Sequence, residues 1–168
     1  MKLGAAVKRV VLGPRDRIAS TVYGAIVVMG AITAGSGGQS DPARLASIVF
    51  ATVFVLWIAH VYSHGLAESI DRRHRLDGAE LVSVARREFS LLFAAVAPIG
   101  ALLLGAVGVV RESRAVWLAL GLGVATLVVQ GLRYARLEHV GRLGALVAVA
   151  VNVAVGLFIV GLKAFVAH

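Results

Sequence analysis

His60, His64 and Glu68 stand four residues apart, with Asp71 three further on. At about 100° per residue this spacing sets them in one stripe along a helix, with Trp57 on the same line a turn deeper. Two imidazoles one turn apart can share a divalent metal ion, and a carboxylate one turn later can complete or relay the set. His60 falls about 9 Å inside Leu66, the last apolar residue of its run. A polar side chain at that depth faces the interior of a bundle or water. Two histidines on one helix make half a metal site, so the remaining ligands must come from elsewhere. Glu88 and Glu138 are the expected partners, with Glu80 and His139 on the same side. The competing reading is structural: His60 donates to a carbonyl or hydroxyl of a neighbouring helix, and His64 and Glu68 lie at headgroup level.

Other polar residues sit within apolar surroundings. Gln130, Tyr134 and Glu138 form a second stripe at spacing four that reaches the same end. Asn152 lies about nine residues into the last apolar run, where it either hydrogen-bonds across a helix interface or marks a path. Lys163 can snorkel from that run's far end. Arg133, Arg136, His139 and Arg142 recur at every third residue, but in a loop, so these charges would not cross a membrane field as in a voltage sensor. The 9 acidic residues all fall in loops or at helix ends, which leaves His60 as the titratable group nearest mid-membrane. The absence of cysteine excludes disulfides, thiolate ligands and cysteine nucleophiles. Phosphate-cradling loops, H-E-x-x-H helices and nucleophile elbows are also lacking, and the chain is read as a non-enzyme.

The elements that must position these residues follow from composition. Hydrophobic residues make up 59% of the 168 and charged residues 15%, against about 25% charged in soluble domains. Five runs, 18–34, 45–66, 89–110, 115–132 and 143–166, approach or exceed the roughly 20 residues that cross a hydrocarbon core of about 30 Å. The fold expected is all-α: one polytopic domain over 1–168, a bundle of five transmembrane helices in a lipid bilayer. The first run follows Lys2, Lys8 and Arg9 and ends in small residues, as a leader would, but it is longer than the usual leader core and is read as a span.

The net charge of +8 does not mark a nucleic-acid binder, because the basic residues flank apolar runs instead of forming a patch on a soluble face. Successive loops and tails carry five, one, five, two, three and one Lys or Arg. The positive-inside rule then places the N-terminus and the 67–88 and 133–142 loops in the cytoplasm, with the C-terminus outside. Arg far outnumbers Lys and Ala, Val and Gly dominate, which reads as a GC-rich bacterial gene and hence a bacterial inner membrane.

Local signals define the ends. Gly13-Pro14 reads as a helix entrance, Gly35 to Gln39 as a flexible outside loop, Asp41-Pro42 as a cap and first position, and Ser113 as the cap of the fourth helix. Asp77 and Glu80 fit a capping box that restarts a helix after Arg72-Arg73-His74-Arg75, so helices two and three should continue as a cytoplasmic helical hairpin. On it Val82, Ala85 and Phe89 should pack, with Arg86, Arg87 and Glu88 facing water or headgroups. Small residues every fourth position (Ala97, Ala101 and Gly105; Ala115, Ala119 and Gly123; Gly30 and Ala34) should let helices approach closely, and Pro98 should kink the third.

Five spans, an inside N-terminus and an extension between spans two and three resemble the layout of the vacuolar iron transporter family and its bacterial members. The local echoes are Glu68 through Glu88, with Arg86-Arg87-Glu88 leading into a proline-containing span, and Gly131-Leu132-Arg133-Tyr134-Ala135-Arg136-Leu137 before a glycine-rich last span. The resemblance implies a homodimer that exchanges ferrous or a similar divalent ion for protons along a path between subunits. Where that family carries an acidic residue beside a glycine in its first span, this chain has Tyr23-Gly24, so the family's transport residues do not transfer and His60, His64 and Glu68 stand as candidates on their spacing alone. The functional expectation is a divalent-metal-ion transporter or metal-binding membrane protein. The alternatives are a non-catalytic scaffold or accessory subunit, with Arg72, Arg73, Arg75, Arg86 and Arg87 drawn to lipid headgroups, and an oligomeric channel lined by Thr52, Thr126 or Asn152.

Overall fold

The structure is a computed structural model that describes residues 16–37, 41–72 and 77–166. Helices and short turns account for all of these. The helices are α1 (Asp16–Gly35), α2 (Pro42–Arg72), α3 (Gly78–Ala106), α4 (Glu112–Leu137) and α5 (Arg142–Val166). Each is long and apolar enough to span a membrane. The Gly13-Pro14 entrance, the 73–76 charge run and the side chains of Asp71 and Lys163 lie outside the described residues.

The chain runs up and down, so the N-termini of α1, α3 and α5 share one end of the bundle with the C-termini of α2 and α4. Sequence neighbours pack on each other, and α1 lies against all four other helices, most extensively α3 and α4. The shortest helix is therefore the central one. Its buried face, Ala25, Val28, Met29 and Ile32, meets Leu45, Val49 and Val53 of α2, Leu91, Ala95 and Leu102 of α3, and Ala119, Leu120 and Leu127 of α4 in one core. Glycines set the closeness of these contacts. A Cβ on Gly24 would lie 2.8 Å from the Leu91 carbonyl oxygen, and one on Gly123 would lie 2.5 Å from Met29 Cγ. The outer surface, including Phe50, Phe54, Val55, Ile58, Leu146 and Phe158, is apolar and exposed.

The polar ends are helical further than hydropathy alone indicates. Asp77 accepts from the Glu80 amide while Glu80 returns a bond to the Asp77 amide, so α3 starts eleven residues before its apolar run. Asp41 likewise accepts from the Ala43 amide at 2.9 Å, with Pro42 at the first position of α2. With 31 and 29 residues, α2 and α3 are about 46 and 43 Å long. At its other end α3 stops at Ala106 instead of running to Val110. Gly108 there adopts a left-handed φ of 77°, and the Val107 and Gly108 amides fold back onto the Leu103 and Gly105 carbonyls.

Three local expectations are corrected. Ser113 lies within the first turn of α4, whose cap position is Arg111 without a side-chain bond. Gly30 has open space where a Cβ would go and Ala34 is exposed, so this pair makes no close approach; Gly24 does so on α1 instead. Ala97 is also exposed, whereas Ala101, Gly105, Ala115, Ala119 and Gly123 are buried as their spacing indicates. The α3 helix passes through Pro98 without interruption.

Candidate cation site

The α3 register decides the site. Near the charged end α3 buries Val84, Glu88, Ser90, Leu91, Ala94 and Ala95, and of these Val84, Glu88, Leu91 and Ala95 follow one line at intervals of four, three and four. Val82 and Phe89 point outward, the reverse of the expected packing face. This rotation carries Glu88, ten residues into α3, into the bundle, with its side chain only 7% exposed. One carboxylate is therefore internal, correcting the expectation that all lie in loops or at helix ends. The signal was present in the sequence: Glu88 continues the apolar line of Val84, Leu91 and Ala95.

Two partners hold the carboxylate. Ser20 Oγ of α1 donates to Glu88 Oε2 at 3.0 Å. His64 Nδ1 of α2 lies 3.3 Å from Oε1, with the imidazole 58% exposed. Gly24 explains how α1 comes near enough, since it lets the α1 backbone rest against Leu91, one turn beyond Glu88. His60 sits one turn deeper than His64, with ring centroids 5.8 Å apart, and its other face meets Tyr23 at 5.1 Å. His60 Nδ1 lies 3.2 Å from the Leu56 carbonyl oxygen. A carbonyl only accepts, so in this bond Nδ1 is the donor. Trp57 Nε1 donates to the Ala85 carbonyl at 3.3 Å and clamps α2 on α3 beside the cluster.

The other sequence-derived candidates are placed elsewhere. Glu68 is engaged by Arg87 at 2.6 Å, at the mouth of the α2–α3 pair, and does not join the imidazoles. Glu138 and His139 are exposed at the end of α4, where Glu138 occupies the C-cap. Gln130 is buried and accepts from Arg133 Nη1 at 2.9 Å, while Tyr134 of the same stripe is half exposed. Asn152 of α5 packs into the notch left by Gly131. Thr52 and Thr126 donate to carbonyls of their own helices, Ile48 at 2.8 Å and Leu122 at 2.9 Å. Among the described residues, no three His, Asp or Glu side chains form a group that could hold a metal ion. The residues that sequence reasoning missed are Ser20 and Tyr23, whose partners come from helices remote in the chain.

An ionised carboxylate in apolar surroundings must be neutralised or strongly hydrogen-bonded. Glu88 receives one hydroxyl and one imidazole, and only a protonated imidazole brings charge. The arrangement thus attracts positive charge. The 3.3 Å approach of His64 Nδ1 to Glu88 Oε1 is a charge contact that a protonated imidazole completes, and a carboxylate placed behind an imidazole is an arrangement also found behind metal-bound histidines.

The chain matches no protein-family model, no curated protein and no solved structure.

Proposed function

We propose that the chain is a multi-pass inner-membrane protein that carries a divalent cation in exchange for protons, using the His60 and His64 imidazoles with Glu88 behind them. Five apolar helices with an apolar outer surface support residence in a bilayer, and the distribution of Lys and Arg supports a cytoplasmic N-terminus with the cluster in the inner half. The observation that carries the cation reading is the internal Glu88, held by Ser20 and His64, with no guanidinium or ammonium on it among the described residues. A proton on His64 and a metal ion on the imidazoles satisfy the same carboxylate in turn, which is the requirement for exchange at one site.

The imidazole spacing fits such an ion. With metal–nitrogen bonds of about 2.0–2.1 Å, two rings sharing one near-tetrahedral ion have centroids roughly 5 to 6 Å apart, and His60 and His64 stand at 5.8 Å. Water or a second copy of the chain fills the remaining positions. Imidazole ligation favours zinc, ferrous iron, cobalt or nickel over magnesium or calcium.

The test is uptake of cobalt or zinc into proteoliposomes with an interior dye and an inward or outward proton gradient. Wild type should exceed protein-free vesicles and respond to the gradient, and His64→Ala and Glu88→Gln should each fall to the background. Equal uptake with and without protein removes the reading. A second reading is a non-catalytic scaffold or accessory subunit, favoured by the exposed Arg86, Arg87, Arg136 and Arg142, which would engage anionic headgroups.

A further inference from the structure

A second concentration of polar groups lies where α1, α4 and α5 meet, away from the His64–Glu88 pair. A cavity of about 480 Å³ opens there on the flank of the bundle, bounded by Ala19 and Val22 of α1, Gln130 and Tyr134 of α4, and Val151 and Asn152 of α5. Its volume is in the range of small-molecule sites, about 300–1,000 Å³. The walls are apolar apart from the two amides and the phenol. Gln130 uses its carbonyl oxygen for Arg133 at 2.9 Å, which leaves its N–H donors without a partner among the described residues. The Asn152 side chain makes no hydrogen bond to any described residue. Amide donors facing hydrocarbon are costly unless an acceptor meets them.

Depth restricts what can supply that acceptor. Asn152 is ten residues into α5, or about 15 Å from its start, and Gln130 is about 10 Å from the end of α4. In a hydrocarbon core of about 30 Å the ester and phosphate groups of a phospholipid stay near the boundary. At Asn152 a phospholipid therefore offers only its chains. An acceptor at this level must belong to a molecule whose polar head is itself soluble in hydrocarbon.

We propose that the cavity binds a neutral, lipid-soluble carbonyl compound with a compact ring head of the quinone type and a hydrocarbon tail. The carbonyl oxygens accept from the Asn152 and Gln130 amides, the ring fills the space beside Ala19 and Val22, and the tail leaves through the open flank. This inference uses none of the groups of the cation site.

The experiment titrates the full-length chain in detergent micelles with a decyl-substituted benzoquinone by calorimetry, with empty micelles as reference. Saturable binding at one site per chain is expected. Asn152→Leu and Gln130→Leu should each weaken it about tenfold or more, which corresponds to about 1.4 kcal/mol. Ala19→Phe, which fills the cavity from an exposed position, should abolish binding while leaving the thermal midpoint unchanged. Decylbenzene, with the same tail and no carbonyls, should not bind beyond its partition into micelles. Equal binding of decylbenzene overturns the proposal, as does unchanged affinity in Asn152→Leu and Ala19→Phe. Stoichiometric displacement of the quinone by added phospholipid overturns it as well, by assigning the cavity to the bilayer lipid.

Discussion

Replacing Gly24 by alanine tests the link between helix packing and the buried carboxylate. The new Cβ would lie 2.8 Å from the Leu91 carbonyl oxygen and 3.2 Å from both Leu91 Cα and Ala94 Cβ. Two of these atoms are backbone and cannot swing aside, so α1 and α3 must separate by about 0.5 Å to restore ordinary contact. Overpacking of this kind costs about 1–3 kcal/mol, offset by alanine's helix preference over glycine of about 1 kcal/mol. The net expectation is a loss of up to about 2 kcal/mol. Ser20 is one turn before Gly24 and Glu88 is three residues before Leu91, so the same separation stretches the 3.0 Å Ser20–Glu88 bond toward its geometric limit. Gly30→Ala is the control in the same helix, because nothing lies within 4 Å of its Cβ position. That substitution should be neutral or stabilising by up to about 1 kcal/mol. Unfolding in dodecyl sulfate, followed by helical circular dichroism, should rank the proteins Gly30→Ala, wild type, Gly24→Ala. Equal midpoints for the two variants would refute the close approach of α1 to α3 and, with it, the placement of Ser20 on Glu88.

Three further outcomes are expected. Glu68→Gln should leave cation uptake unchanged and cost at most about 1 kcal/mol, because Glu68 serves an exposed ion pair with Arg87; uptake lost as in His64→Ala would return Glu68 to the ligand set. Asp77→Ala removes half of the α3 capping box and should lower stability by about 0.5–2 kcal/mol, with faster amide exchange confined to the first turn of α3. Gly131→Ala places a Cβ 2.9 Å from Asn152 Nδ2 and 3.1 Å from Val149 Cα, so α5 should loosen from α4 and become easier to cleave, whereas Gly121→Ala, with open space at its Cβ, should not change cleavage.

The charged face of α3 shows why the helices were legible in the sequence while the direction of their side chains was not. Periodicity allows more than one apolar line on a helix as rich in Val, Leu and Ala as this one. Val82, Ala85 and Phe89 form one such line and Val84, Glu88 and Leu91 another. In water the line containing a glutamate would be the outer one. In a bundle with an apolar exterior the preference weakens, because both faces meet hydrocarbon-like surroundings and the carboxylate gains more from Ser20 and His64 than from lipid. The same reasoning accounts for Glu68. Its spacing from His64 is right for a shared ligand set, yet Arg87 on the facing helix offers a closer, fully charged partner at 2.6 Å.

Hydropathy and length alone determined five helices, since a chain with so few charges must make its backbone hydrogen bonds within continuous helices if it is to leave water. Side-chain chemistry next to the backbone determined the caps at Asp41 and Asp77, and spacing on one helix determined that His60 and His64 are neighbours. These are all local quantities. The tertiary structure decided the central place of α1, the inward turn of Glu88, the diversion of Glu68 to Arg87 and the gathering of Gln130 and Asn152 at one cavity. Each depends on which face of one helix meets which face of another. In an apolar bundle that choice is made by the fit of glycine notches such as Gly24 and Gly131 against particular backbones, which no single segment encodes by itself.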